Sequence, residues 1–227
     1  MMFPVGRIVD LSVPITSRTG SAPPQGRMTS IEKYTKPGTE HFQGSWLSTS
    51  AHVGSHVDSP LHVVKDAPTI GEIPLERTMG EAVVLDLRPV EANQPIEVRH
   101  LAPHADKIRP GEIVVLRTDW SDRVWGGPEF WTESPYLTED AAHWLAANKP
   151  KALAFDFFEE YIARFKDFTS DQFVVHLILL KQHRITLIEN ITNLGALRRD
   201  RVLLFAAPLK IMETEGGPAR VFAIDPE

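Results

Sequence analysis

Between Ser50 and His62 the chain reads Ser-Ala-His-Val-Gly-Ser-His-Val-Asp-Ser-Pro-Leu-His, which places three histidines and one aspartate within eleven residues. Imidazole nitrogen and carboxylate oxygen are the donors a borderline divalent cation takes. The spacing limits how this stretch can fold. A helix would put His52 and His56 on one face but carry Asp58 well round the cylinder. Gly54 weakens such a helix and Pro60 turns Ser59 away from it. An extended chain fits better. His56 and Asp58, two apart on a strand, point the same way. Gly54 allows a tight turn that folds His52 back onto the same point. Ser59-Pro60 turns the chain again and brings His62 over from the other side. His52, His56 and Asp58 are therefore candidate metal ligands, and His62 is a base beside the ion or a ligand of a second ion. The competing reading is a polar turn with incidental histidines. Nine histidines in 227 residues are ordinary, but three of them fall here, interleaved with Asp, Gly and Pro.

The remaining composition excludes several classes. A net charge of −6 gives no basic footprint for nucleic acid. The absence of cysteine removes disulfides, thiolate metal sites and cysteine nucleophiles, and is compatible with a reducing cytoplasm. Residues 1–7 lack the charged start and long apolar core of a signal peptide. The apolar segments around 177–180 and 202–207 are too short to span a bilayer. The expectation is a cytoplasmic protein with no membrane or nucleic-acid partner. A length of 227 residues suits one domain over 1–227 with a sizeable core.

Strands are predicted at 7–15, 81–87, 111–118, 152–155, 185–189, 201–207 and 209–212, with 215–218 as a turn and 219–224 pairing back as a hairpin. The 111–118 run is nearly all apolar, as in a strand buried on both faces. Residues 17–30 read as a loop. A short helix is expected at 97–104, and 74–77 forms at most one turn. Thr138–Asn148 reads as a helix with Thr138 as N-cap and Glu139 and Asp140 at its positive end. Thr169–Gln182 reads as another, opened by the capping-box pattern Thr169-Ser170-Asp171-Gln172, with His176 facing inward among Phe173, Leu177 and Leu180. Strands and helices without strict βαβ alternation imply a mixed-sheet α/β domain.

The segment from His52 to His62 resembles the signature of the metal-dependent cyclase family, written H-x-G-T-H-x-D-x-P-x-H, with Ser55 in place of Thr. That family includes bacterial kynurenine formamidases and isatin hydrolases. Arg117–Trp120 is similar to its Arg-Thr-x-Trp strand end. His176, Leu179 and Leu180 are similar to its His-x-x-Leu-Leu helix, and Glu189–Leu194 to its Glu-Asn-Leu-x-Asn-Leu segment, whose Glu reaches the metal site. The resemblance runs from Ile8 to Ile224 but is dense only at 52–62, 111–120 and 176–194. The chain departs from the pattern twice. Asp156-Phe157-Phe158-Glu159-Glu160 stands where the family has Asp-Thr-Pro-Ser-x-Asp. His176 and Glu189 are one residue further apart, with His183-Arg184 where a Gly terminator is usual. The resemblance implies a swivelling β/β/α fold, a homodimer or homotetramer, and an aromatic residue, Phe42 or Trp46, near the substrate. A surface or core role explains those aromatics equally well. Phe157 and Phe158 line an aromatic pocket or fill core.

These readings together imply a metal-dependent hydrolase of a small aryl or cyclic amide, using one or two Zn2+ or Mn2+ ions. His52, His56, Asp58, His62 and Glu189 are the candidate ligands, with Asp58 or Glu189 as a bridge between two ions. His62 also suits the general base. His176 suits an oxyanion stabiliser or a proton donor to the leaving amine. An arylformamidase-like activity is the first expectation and isatin-hydrolase-like ring opening the alternative. A non-catalytic metal-binding protein is the reading from a different class.

Overall fold

The computed structural model describes residues 6–22, 28–34, 38, 41–165 and 167–226. The reading of residues 1–5 and the middle of the 17–30 loop lie outside this set. The strands, in chain order, are β1 Gly6–Asp10, β2 Ser30–Tyr34, β3 Gly44–Ser48, β4 His56–Asp58, β5 Met79–Asp86, β6 Pro95–Ile96, β7 Ile113–Arg117, β8 Tyr136–Leu137, β9 Ala152–Phe155, β10 Thr186–Glu189, β11 Arg201–Pro208 and β12 Gly216–Pro226. Eight of them form one sheet in the order β1-β12-β11-β5-β7-β9-β10-β4. β5, β7, β9 and β10 run parallel, and the remaining pairings in this sheet are antiparallel. The short strand β4 also pairs with the start of β12, so the sheet closes on itself in a barrel-like arrangement. This is the mixed-sheet α/β architecture expected from the sequence.

The parallel strands are apolar on both faces because both faces are covered. Val83, Leu85, Val114, Leu116, Leu153, Phe155 and Leu187 pack outward against the helices. Their neighbours Ala82, Val84, Ile113, Val115, Ala152, Ala154 and Ile188 pack inside the closed sheet with Val57. The period of two then decides where the polar residues go. Val57 points inside, so His56 and Asp58 point to the helix side. Ile188 points inside, so Glu189 points to the helix side as well. One pleat therefore delivers three of the candidate ligands to the same face. Among the described residues, no helix is long and apolar enough to cross a membrane.

The expected helix at 138–148 spans Glu139–Ala147, and the Ala141 N–H donates to the Thr138 hydroxyl at 3.3 Å. The helix expected at 169–182 is not continuous. A 3-10 turn at Ser170–Gln172 is followed by α-helix at Val174–His176 and a π-helix at Leu177–Gln182. Phe173, with ψ 71, breaks the first two apart. The Thr169 N–H still donates to Gln172 Oε1 at 2.9 Å, the interaction that produced the capping signal. The π-helix absorbs the extra residue between His176 and Glu189. The His183 N–H reaches back five residues to the Ile178 carbonyl, a wider turn than an α-helix makes. Arg184, with φ 56, takes the left-handed conformation usually left to Gly.

Most predicted strands shift by one or two residues at their ends, and three readings change more. The first strand ends at Asp10 rather than 15. Residues 209–212 form no strand, and 216–218 are not a turn but the start of β12, held extended by pairing with β4. Residues 219–224 do pair back in a hairpin, against 203–208 of β11, but not across a turn at 215–218.

Candidate metal centre and active site

Gly54 takes φ +61, a conformation side chains resist, and a Cβ there would meet Ile15 at 2.7 Å. That turn folds His52 back over the strand, as the spacing implied. Ser55 anchors it from below. Its hydroxyl donates to the Asn190 carbonyl at 2.7 Å and accepts from the Val13 N–H at 2.9 Å. Pro60 starts the 3-10 turn Pro60–His62, which returns His62 toward the strand. All six predicted residues, His52, His56, Asp58, His62, His176 and Glu189, line one cavity of about 350 Å³. Trp131, Phe158, Phe168 and Phe173 form its apolar wall, and Glu215 stands at its edge.

Asp58 is the hub. Its Oδ1 lies 2.8 Å from His52 Nδ1 and 3.4 Å from His56 Nε2, and its Oδ2 lies 3.6 Å from His176 Nε2. Glu189 completes the ring, 3.4 Å from His56 Nε2 and 3.3 Å from His176 Nε2. Three histidines each turn one nitrogen inward and tie the other down outside. His56 Nδ1 bonds the Gly54 carbonyl at 2.9 Å, His52 Nε2 bonds Glu215 at 2.9 Å, and His176 Nδ1 bonds Glu160 at 2.9 Å. His62 packs at a tilt against His52, with ring centroids 4.3 Å apart.

The donor set fits a divalent cation. His56 Nε2, both Asp58 oxygens and Glu189 Oε1 are buried and form no hydrogen bond among the described residues. Buried polar atoms rarely go unpartnered, and a ligated ion satisfies them. His52, His56 and Asp58 have donor atoms within 4.8 Å of one another, as do Asp58, His62 and His176, and also Glu159, His176 and Glu189. The first trio is the set predicted from spacing. The others leave room for a second ion sharing Asp58 or Glu189.

In the metal-free chain, protons play the part of the cation. Burial alone would raise the Asp58 pKa, but His52 and His56 reverse this and hold it well below the carboxylate range. Desolvation opposes charge on His52, yet Asp58 and Glu215 lift its pKa to about 10. The His52 hydrogen bond in turn lowers Glu215 to about 2. Desolvation opposes charge on His176, yet the surrounding carboxylates of Asp58, Glu160 and Glu189 raise it well above its ordinary value. His62 goes the other way. Its ring edge is open to solvent, but protein crowds it closely enough that desolvation lowers its pKa to about 4, helped by positive His176 and His52. Neighbouring histidines thus shift in opposite directions in the metal-free chain, His62 down and His176 up.

Residues 9–159 match the family described as "Putative cyclase". The chain belongs to this cyclase family. A kynurenine formamidase of Bordetella avium is 25% identical over 214 residues, covering 94% of this chain and 96% of that protein. An isatin hydrolase of Roseibium aggregatum is 26% identical, with 90% and 82% covered. Isatin hydrolase A from Labrenzia aggregata, solved with benzyl benzoate, shares the fold at TM-score 0.82 and 24% identity, covering 97% of this chain and 94% of that one. A structure described as a potential metal-dependent hydrolase with cyclase activity superposes at TM-score 0.73 with 25% identity, covering 98% and 100%. The chain is thus a relative of amide-hydrolase members of the cyclase family, aligned over 90% or more of its residues.

Several expectations around the site change. Phe42 and Trp46 are exposed and absent from the cavity lining, and Trp46 lies on the β2–β3 hairpin. Phe157 is core, whereas Phe158 lines the cavity. Arg117–Trp120, part of the family match, does not line it. Instead the Asp156 carboxylate accepts from Thr118 N–H and hydroxyl and from Asp119 N–H, tying the ends of β7 and β9 together. Burial raises Asp156 to about 7. Glu159, Glu160 and Glu215 went unread. The first two lie just past the carboxyl end of a parallel strand, where α/β sheets place their ligands, and that position was the available signal. Glu215 sits in a Gly-rich segment with no periodicity to mark it.

Proposed function

We propose that this chain is a divalent-metal-dependent hydrolase of an aryl amide, with arylformamidase activity of the kynurenine formamidase kind. The observation that carries the reading is the Asp58 cluster, with buried donor atoms that form no hydrogen bond among the described residues, lining a cavity walled by aromatic rings. His52, His56 and Asp58 would hold the ion. A bound Zn2+ or Mn2+ would lower the pKa of a water and polarise the substrate carbonyl. The chain's own groups supply the rest. Water adds to the amide carbon, His62 takes its proton, and His176 gives a proton to the nitrogen as the carbon–nitrogen bond breaks. The products are a carboxylic acid and an amine. His62 is suited because it lines the cavity beside His52, and His176 because Glu160 holds its Nδ1 and leaves Nε2 facing the cavity. Trp131, Phe158, Phe168 and Phe173 would seat the aryl ring.

Ring opening of a lactam such as isatin is the second reading, favoured by Phe158 filling the position where the family loop has a proline. A second ion with His62 as its ligand instead of the base, bridged by Asp58 or Glu189, and a cytoplasmic location belong to the same proposal and rest on the sequence reading, while a homodimer or homotetramer rests on the resemblance. The test is turnover of N-formylkynurenine and of isatin by purified protein, before and after chelation, with zinc or manganese added back. Metal-restored turnover of one substrate supports the reading. Bound metal with neither substrate cleaved overturns the substrate assignment, and absence of bound metal overturns the site.

A further inference from the structure

Glu160 does not line the cavity, yet it is tied to His176 twice through one oxygen. Its Oε1 accepts from the His176 backbone N–H at 2.9 Å and lies 2.9 Å from His176 Nδ1. Both residues are buried, at 2% and 3% exposure. His176 is the third residue of the helical segment that starts at Val174, so its N–H has no partner within the helix. Glu160 therefore caps the helix start and holds the ring with the same atom. A carboxylate oxygen only accepts, so Nδ1 carries the hydrogen and Nε2 is left to face the cavity. Nε2 accordingly points at Glu189 Oε1 and Asp58 Oδ2, at 3.3 and 3.6 Å. Glu159 comes within 3.4 Å of the same Nδ1, but neither of its oxygens forms a hydrogen bond among the described residues.

We propose that Glu160 is a positioning residue, fixing the backbone and ring of His176 so that Nε2 is aimed at the nitrogen leaving the substrate. The proposal rests on the amide-hydrolase reading above. It belongs to this chain's own sequence, because the acidic pair replaces the loop that the family resemblance would supply.

The test compares Glu160→Ala and Glu160→Gln in the metal-loaded enzyme, using formanilide and 4-nitroformanilide. Alanine removes the acceptor, whereas the glutamine carbonyl still accepts from both His176 groups. Glu160→Ala should lose about 100-fold in kcat on formanilide with KM little changed, the scale of a misplaced reacting group. The loss should be much smaller on 4-nitroformanilide, whose amine leaves with less help. Glu160→Gln should recover most of the rate. Equal losses on both substrates, a glutamine variant as slow as the alanine variant, or wild-type kcat in Glu160→Ala would each overturn the proposal. Crystal structures of the two metal-free variants separate this from the reaction reading. A His176 ring left in place in Glu160→Ala overturns the positioning role whatever the substrate. A ring that turns away, in an enzyme whose wild type cleaves no amide, supports the positioning role and overturns the activity.

Discussion

His56 and Glu189 are register partners on β4 and β10, and their facing atoms Nε2 and Oε2 lie 3.4 Å apart. Strand pairing sets that separation, so the candidate ligand pair is built into the sheet rather than hung on loops, which is how a site holds its geometry. Asp58 is two residues along the same strand and faces the same way. Replacing Asp58 with Ala removes the group that joins His52, His56 and His176. Expected outcomes are loss of bound zinc or manganese, measured by atomic emission, and loss of at least about 100-fold in turnover. Full metal content with full activity in Asp58→Ala would sink the ligand assignment.

His62 lies on the turn after the strand and is open to solvent at its edge, so it can be removed without disturbing the His52–His56–Asp58 trio. His62→Ala should retain one ion per chain and lose about 100- to 10,000-fold in kcat, the usual range for a general base. Metal content and kcat measured on the same preparation check this. Loss of all metal would reassign His62 as an essential ligand.

The sequence made the long parallel strands and the clustering of the candidate ligand trio legible for one reason: both rest on local sequence pattern. Near-continuous apolar runs marked β5, β7, β9 and β10, and the offsets of His52, His56 and Asp58 around Gly54 implied the fold-back that the structure shows. What stayed hidden depends on contacts distant in sequence. Glu215 reaches His52 from the start of β12, and closure of the sheet by β4 against β12 left no signal in either strand. The break at Phe173 and the π-helix were hidden for another reason. Hydrophobic spacing looks much the same for a continuous α-helix and for one that loosens by a residue.

The metal-free protein should lose stability as pH rises from about 7 to 10. His52 has a folded pKa of about 10 against an ordinary value of 6.5. Its protonated form therefore stabilises the fold fully below about 6.5, and that contribution is lost as pH rises toward 10. His176, also raised, acts in the same direction. Asp58 and Glu215 are lowered, so their contributions are complete above their ordinary values and stay flat in this window. Each raised histidine adds a slope of up to about 1.4 kcal/mol per pH unit. Zinc should reverse the trend, because it takes neutral imidazole and binding releases protons. Calorimetric melting of chelated and zinc-loaded protein across this range is the measurement. A metal-free Tm that does not fall would contradict the charge arrangement around Asp58.

Gly216 offers the sharpest separation of site from scaffold. It pairs with Asp58 across β12 and β4, and a Cβ there would lie 2.9 Å from His52 Cε1 and 3.2 Å from Asp58 Oδ1. The nearer distance is too short for real atoms, and the atom in the way belongs to a candidate ligand. Its neighbour Gly217 faces elsewhere, with the nearest approaches to a new Cβ at 3.3 Å from the Leu209 carbonyl and 3.4 Å from Ile70. Gly216→Ala should therefore push the His52 ring off Asp58 and weaken zinc or manganese binding about 10- to 100-fold, with the β12–β4 pairing retained. Gly217→Ala should shift melting temperature and leave metal affinity unchanged. Competition with a chelating dye gives the affinities, and circular dichroism gives the melting points. Wild-type affinity in Gly216→Ala would mean that His52 can move without consequence, and the ion would then have to be held by His56, Asp58 and the carboxylates alone.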